Sequence, residues 1–311
     1  MPPIGITLGD PAGVGPEILV KSFPHLERIK TKFIVFGDKA YLEKLSQEFN
    51  ISIPKNVEIL PLSHLKVSPG KPNKETHRAS IKYLEEAISF AKKGEIFGLV
   101  TLPINKEAFE VSQLPYRGHT EMLAKELSAQ SYAMSFYGKK LRVSLVTTHI
   151  PLNRVSENLS PERIVEVSRL SFDFMKRLKG KEDIKIALCG LNPHAGEGGL
   201  LGDEEERVIK PAVLRANEDG IPLFGPYPAD SLFYWALQGR FDFVIAIYHD
   251  QGLIPFKMLH FRDGVNLTLG LPIVRTSPVH GTAYDIAGKG IADIGSFLSA
   301  VKLTFNLSKK W

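Results

Sequence analysis

FDFVIAIYH, residues 241–249, is apolar at nearly every position and then ends in polar chemistry. A half-buried strand alternates apolar and polar residues, whereas a strand apolar on both faces is the interior strand of a sheet covered by helices on either side. The same grammar recurs in RVSLVTTH, residues 142–149, and in IKIALCGLNPH, residues 184–194. In an open α/β sheet the side chains at the carboxyl ends of strands project into the ligand crevice. His149, His194 and His249 are all delivered that way, and three such imidazoles can converge on one divalent metal. A single histidine in this position can equally just end a strand and hydrogen-bond locally. Three repeats of the placement point to an enzyme.

Working outward, strand-like IGITLGD and FIVFGD near the N-terminus alternate with amphipathic segments, which is the pattern of βαβ units. In residues 75–94, ETHRASIKYLEEAISFAKKG, the apolar Ile81, Leu84, Ile88 and Ala91 are spaced for one helical face. Ser160 and Pro161 suit the N-cap and first position of a helix that Gly180 stops. Asp203 followed three residues later by Glu206 reads as the capping box of the next helix. The stretch VSPGKPNKETH is a loop inside a domain, because helical periodicity resumes at once after it. The expected class is layered α/β. The domain assignment is 1–120 with 268–311 for a first α/β domain carrying a glycine loop, and 121–267 for a second carrying the histidine-bearing strands.

Composition narrows the classes of function. The 311 residues, 43% hydrophobic and 23% charged, are those of an ordinary globular protein of about two domains. No apolar stretch approaches the roughly 18 residues a membrane helix needs, and MPPIGITLGD lacks a basic region followed by an apolar segment, so the cytoplasm is the expected location. A net charge of +5, spread without a basic cluster, argues against nucleic acid as a partner. The lone Cys189 sits inside an apolar strand and is given no chemical role.

Several other motifs carry polar chemistry. GDPAGVGPEI brings Gly9, Gly13 and Gly15 between a strand and a helix, but it lacks the third glycine of a dinucleotide fingerprint; a tight turn around Asp10 is the plainer reading. His119 and Thr120 precede a helix, where side chains and free amides suit an anionic group, although Thr120 also reads as a simple N-cap. Lys257, Asn266 and Arg275 place two cations and an amide around strand-like VNLTLGLPIVR, a clamp for phosphate or carboxylate. HGTAYDIAGKG sets Gly281, Gly288 and Gly290 about Asp285, an acid placed to bind ribose hydroxyls.

Taken in order, ITLGDPAGVGPEI, LPINK, GHTE, TTHIPL, LNPHAGEGGLLGDEE, YPADSLF, YHDQGLIPFK and GVNLTLGLPIVRTSPVHGTAYDIAGKG resemble the PdxA family of 4-hydroxythreonine-4-phosphate dehydrogenases of vitamin B6 biosynthesis. The last motif is also similar to the cofactor loop of isopropylmalate dehydrogenases, which bind NAD without a classical fingerprint. The resemblance implies two α/β/α layered domains around a cleft and a cytoplasmic homodimer whose partner completes the site. It implies one divalent metal (Zn, Co or Mg) on His149, His194 and His249, and substrate contacts from His119, Thr120, Lys257, Asn266 and Arg275. The cofactor is NAD, with NADP open, at His280, Gly281 and Asp285; Asp250, Asp230 and Lys106 are the candidates for catalytic proton transfer. The implied reaction is oxidation of 4-phosphooxy-L-threonine at C3 and decarboxylation to 3-amino-2-oxopropyl phosphate. Alternatives are a 4-phospho-D-erythronate or 4-phospho-D-threonate dehydrogenase and, further off, a non-catalytic phosphate-metabolite binding or acyl-transfer protein.

Overall fold

The computed structural model describes residues 3–180 and 183–309, which form two compact units, 1–129 with 271–311 and 130–270. The chain breaks between them after Ala129 and after Gly270, downstream of the breaks after 120 and 267 expected from the sequence. Among the described residues no helix is long and apolar enough to cross a membrane.

In the first unit, strands β1 (Ile4–Thr7), β2 (Phe33–Gly37), β3 (Val57–Pro61), β4 (Gly98–Thr101) and β11 (Val274–Pro278) lie in the order β3-β2-β1-β4-β11. All neighbours run parallel. The order reverses between β1 and β4, and ligands of open α/β sheets bind at such a switch point beyond the carboxyl ends. Helix α1 (Gly15–Leu26) follows β1, α2 (Lys39–Glu48) follows β2, and α3 (Lys74–Lys92) packs on β1 and β2. Short helices α4 (Glu107–Val111) and α5 (His119–Glu126) follow β4, and α10 (Gly295–Ser308) packs on β4 and β11. The expected face of α3 buries Ile81, Leu84 and Ile88, with Ala91 half-covered, and the helix starts on a capping box between Asn73 and Thr76. Fully buried Phe23, Phe33, Phe36, Phe109 and Phe297 supply core, about 1.5–3 kcal/mol each for leaving water.

The second unit holds β5 (Ala133–Tyr137), β6 (Arg142–Leu145), β7 (Ile186–Cys189), β8 (Leu223–Tyr227), β9 (Phe243–Ala246) and β10 (Val265–Leu269) in the order β10-β5-β6-β9-β7-β8. From β6 to β8 every pairing is parallel, while β10, β5 and β6 are antiparallel. Helix α6 (Pro161–Lys179) has the ends its sequence announces: the Ser160 side chain accepts from the Arg163 N–H, a cap worth about 1 kcal/mol, and Gly180 closes it in the left-handed region at φ 66°. Helices α7 (Lys210–Glu218), α8 (Ala229–Leu237) and α9 (His249–His260) complete the unit. Alternation along β6 shows its two covers. Ser144 bonds Ser171 of α6 at 2.8 Å, whereas Val143 and Leu145 face Gly252 of α9, where an added Cβ would come within 2.8 and 2.9 Å of them. That close approach seats α9 on β6 and β9 with its first residue, His249, just beyond the strand ends.

Two local expectations are corrected. VNLTLGLPIVR is not one strand: it breaks at Gly270, whose φ of 88° and close approach to the Ser131 carbonyl (2.1 Å from an added Cβ) admit no side chain. Asn266 therefore belongs to the second unit and Arg275 to the first. Asp203 and Glu206 do not form a capping box. The Asp203 carbonyl accepts the first helical N–H, from Arg207, but its carboxylate ion-pairs with the Arg207 side chain at 3.4 Å, Glu206 pairs with Lys210, and the chain first makes a π-helical turn over Glu205–Ile209.

Candidate active site

Pairing of β6 with β9 continues past both strands, with Val146 N–H to the Ala246 carbonyl at 2.9 Å and Thr147 N–H to the Ile247 carbonyl at 3.0 Å. The shared register carries His149 and His249 out of the sheet side by side, their ring centroids 5.7 Å apart. His249 is the first residue of α9, and its Nδ1 lies 2.7 Å from Oδ1 of Asp250, so Nε2 lies outside this contact. Carboxylates in this relation orient metal-binding imidazoles and raise their basicity, so this carboxylate serves the ring beside it. The donors fit a divalent ion of the imidazole-binding kind.

His194 leaves the end of β7 by a different route. From His194 to Gly198 five consecutive residues have positive φ (52°, 54°, 78°, 44° and 69°), a left-handed turn in which His194, Ala195 and Glu197 carry side chains. Each such residue costs about 1–2 kcal/mol relative to the right-handed form. His194 is exposed, with Nδ1 3.5 Å from Glu197. Under the turn lies Glu205, fully buried, whose Oε1 accepts the Asn192 N–H at 2.8 Å and whose Oε2 accepts the Asn192 carboxamide at 2.9 Å. The Gln251 carboxamide donates to the Gly190 carbonyl at 2.8 Å and accepts from the Ile247 N–H at 2.7 Å, tying the β7 exit to the start of α9. Among the described residues of one chain, no group of three His, Cys, Asp or Glu side chains is gathered for a metal. The structure thus brings two of the three expected imidazoles together and leaves the third apart. Sequence reading missed Glu205 and Gln251, and only Glu205's place beside the misread capping box marks it at all.

Also in the second unit, Lys257 and Asn266 are half-buried, and Oδ1 of Asn266 is buried without a hydrogen-bond partner. Asp230 is exposed in the first turn of α8, accepting the Ser231 N–H at 2.9 Å. Burial pushes the Cys189 thiol well above its ordinary range, which fits an inert strand residue.

In the first unit Arg275 is 3% exposed, and both its Nε (3.2 Å) and Nη2 (2.7 Å) donate to Oγ1 of Thr101. Burial lowers its guanidinium to about 10, still a cation at neutral pH. Burial first and the charge of Arg275 second hold the His119 imidazole well below 6.5, so it is neutral there. Thr120 is not the N-cap of α5; Gly118 occupies that position without a side-chain bond, and His119 and Thr120 form the first turn, whose N–H groups lack intrahelical acceptors. A neutral imidazole, a buried cation and a helix start suit an anionic oxygen. Lys106 is exposed at the start of α4.

The glycine loop after β11 is held firmly. Tyr284 donates to Asp10 at 2.7 Å, and burial together with that bond pushes its phenol well above the ordinary value. Glu17 accepts the N–H groups of Gly288 (3.2 Å) and Ala292 (2.9 Å), and Lys21 donates to the carbonyls of Gly290 and Ala292. Asp285 is exposed on this loop, His280 keeps a buried Nε2 without a partner, and Gly281 opens onto free space. These features fit a dinucleotide.

A parallel sheet in the first unit and a mixed one in the second, each covered by helices, make this an α/β protein, and its relatives place it among the dehydrogenases. Residues 26–304 match the family model described as pyridoxal phosphate biosynthetic protein PdxA, and the chain belongs to that family. It is 43% identical to 4-hydroxythreonine-4-phosphate dehydrogenase of a Sulfurihydrogenibium species, over 98% of both chains. It is 40% identical to D-threonate 4-phosphate dehydrogenase of Bordetella bronchiseptica, over 100% of this chain and 94% of that one. The crystal structure of 4-hydroxythreonine-4-phosphate dehydrogenase from Klebsiella pneumoniae superposes with a TM-score of 0.86 at 36% identity, covering 99% of this chain and 98% of the other.

Proposed function

We propose that this chain oxidises 4-phosphooxy-L-threonine at C3 with NAD and promotes decarboxylation of the resulting β-keto acid to 3-amino-2-oxopropyl phosphate, as a cytoplasmic homodimer serving pyridoxal phosphate formation. The observation that carries the metal part of this reading is the pair His149 and His249 at the ends of adjacent parallel strands, one ring already oriented by Asp250. Together with His194 they would hold one divalent ion. When bound, the ion would supply Lewis acidity toward a substrate oxygen, and NAD would supply the hydride acceptor. The chain's own groups do the rest. In the first unit, Arg275 and the first turn of α5 with His119 and Thr120 would bind an anionic group of the substrate; in the second, Lys257 would bind another and Asn266 offers its unpartnered Oδ1 to an amine. Because Asp250 is engaged with His249, Lys106 and Asp230 are the groups left to take the hydroxyl proton. His280, Gly281 and Asp285 receive the dinucleotide; a carboxylate there favours ribose hydroxyls over a 2′-phosphate, hence NAD over NADP.

A second copy is supported by α9 and its C-cap residue, which expose Ile254 (60%), Met258 (81%) and Phe261 (71%) at helical spacing. The relative acting on D-threonate 4-phosphate, at nearly the same identity, supports a second reading, a dehydrogenase of a four-carbon hydroxy acid phosphate. NADH formation decides between them, followed by absorbance with 4-phosphooxy-L-threonine, 4-phospho-D-threonate or 4-phospho-D-erythronate, each with and without chelator. Chelator-sensitive turnover of the amino substrate is expected; preference for a hydroxy acid moves the substrate, and chelator-insensitive turnover removes the metal.

A further inference from the structure

Two acids near Glu205 are exposed and find cations, Asp203 with Arg207 and Glu206 with Lys210. Glu205 between them is fully buried and bonds amides instead. A carboxylate buried without a basic partner is an expensive way to fill space, since an apolar side chain of like volume packs more cheaply. Its surroundings are built around it. An added Cβ would stand 3.0 Å from its Oε1 at Gly190 and 2.7 Å from its Oε2 at Gly196, so both glycines clear room for the carboxylate. At Gly202 a Cβ would lie 2.3 Å from Nδ2 of Asn192, the carboxamide that Glu205 shares with Glu204 at 2.7 Å. The entry, middle and exit of the left-handed loop thus close on one carboxylate–carboxamide pair. A π-helical turn at Glu205–Ile209 sits where this side chain enters, an irregularity that clusters at functional sites.

We infer that Glu205 is a positioning residue, whose buried carboxylate latches residues 190–202 in the turn that presents His194. Its bearing on a metal rests on the reading of His194 as a ligand. Without the latch, His194, Ala195 and Glu197 return to right-handed conformations and the imidazole swings off the rim. Groups that orient metal ligands without touching the metal typically change affinity by about 10–100-fold.

The test uses Glu205→Gln, which sets an amide donor against the Asn192 carboxamide, and Asn192→Ala as a second variant if the first does not fold. In metal-free protein, hydrogen exchange at the amides of Asn192, Ala195 and Leu201 should quicken about tenfold or more while β9 amides are unchanged. Unchanged loop exchange overturns the latch. Co2+ binding, read from its visible spectrum, should weaken about 10–100-fold in Glu205→Gln and no further when that change is added to His194→Ala. Equal weakening in both backgrounds means that Glu205 acts elsewhere and overturns the proposal. If His194→Ala itself binds Co2+ as tightly as the wild type, the ligand reading of His194 fails, and the latch stands or falls on the exchange data alone.

Discussion

Arg275 of the first unit is 3% exposed, with His119 neutralised beside it, whereas His149 and His194 of the second lie at its surface. A buried guanidinium has its dehydration met by the fold, so an anion arriving there meets a charge already stripped of water. An exposed imidazole costs the fold nothing and gains strength only when something covers it. The Arg275 cation is thus set by the fold of its own unit, whereas the two exposed imidazoles are not.

The largest break in that contrast comes from removing an exposed ring. His249→Ala should lower Co2+ affinity more than about hundredfold, abolish turnover and leave the melting temperature nearly unchanged. Turnover that survives in the variant, or in metal-depleted wild type, ends the metal reading. Asp250→Asn keeps the ring but weakens its orienting partner, and about a 10–100-fold loss of Co2+ affinity is expected by titration; no loss would make the 2.7 Å contact incidental.

Acid sharpens the comparison from the other side. Because the native His119 pKa lies below 6.5, the unfolded chain binds a proton between those values that the native chain refuses. Stability therefore rises with pH in that window and falls as the solution is acidified through 6.5. Melting temperatures measured down the acid side should drop more steeply for the wild type than for His119→Gln, and parallel curves would sink the assignment. The smallest effect probes the left-handed turn. Ala195→Gly at φ 54° relieves strain but adds unfolded-chain entropy, for a net stabilisation of about 0.5 kcal/mol by denaturant titration. A loss of that size would mean the turn is not strained at Ala195.

The interior strands were readable because a strand covered on both faces must be apolar throughout, and β9 and β7 are buried at every residue. The ends of α6 were readable for a similarly local reason, since Ser160 and Gly180 act on their own turns. Thr120 misled because a glycine in extended backbone, Gly118, took the cap. Glu206 misled because a π-helical turn put its neighbour Glu205 inward instead, under a loop that begins thirteen residues earlier in the chain at Asn192. VNLTLGLPIVR misled because the bar to a side chain at Gly270 comes from the distant carbonyl of Ser131.

Apolar runs, caps and motif order are properties of neighbouring residues, and they sufficed to determine the α/β class, the strand ends that carry histidines and the resemblance to a family. Which histidines meet depends on strand order. β9 inserts between β6 and β7, though it follows them both in sequence, and this brings His249 to His149. That insertion, the burial that neutralises His119 and the carboxylate beneath the His194 turn all arise from contacts between segments far apart in the chain, where no local pattern records them.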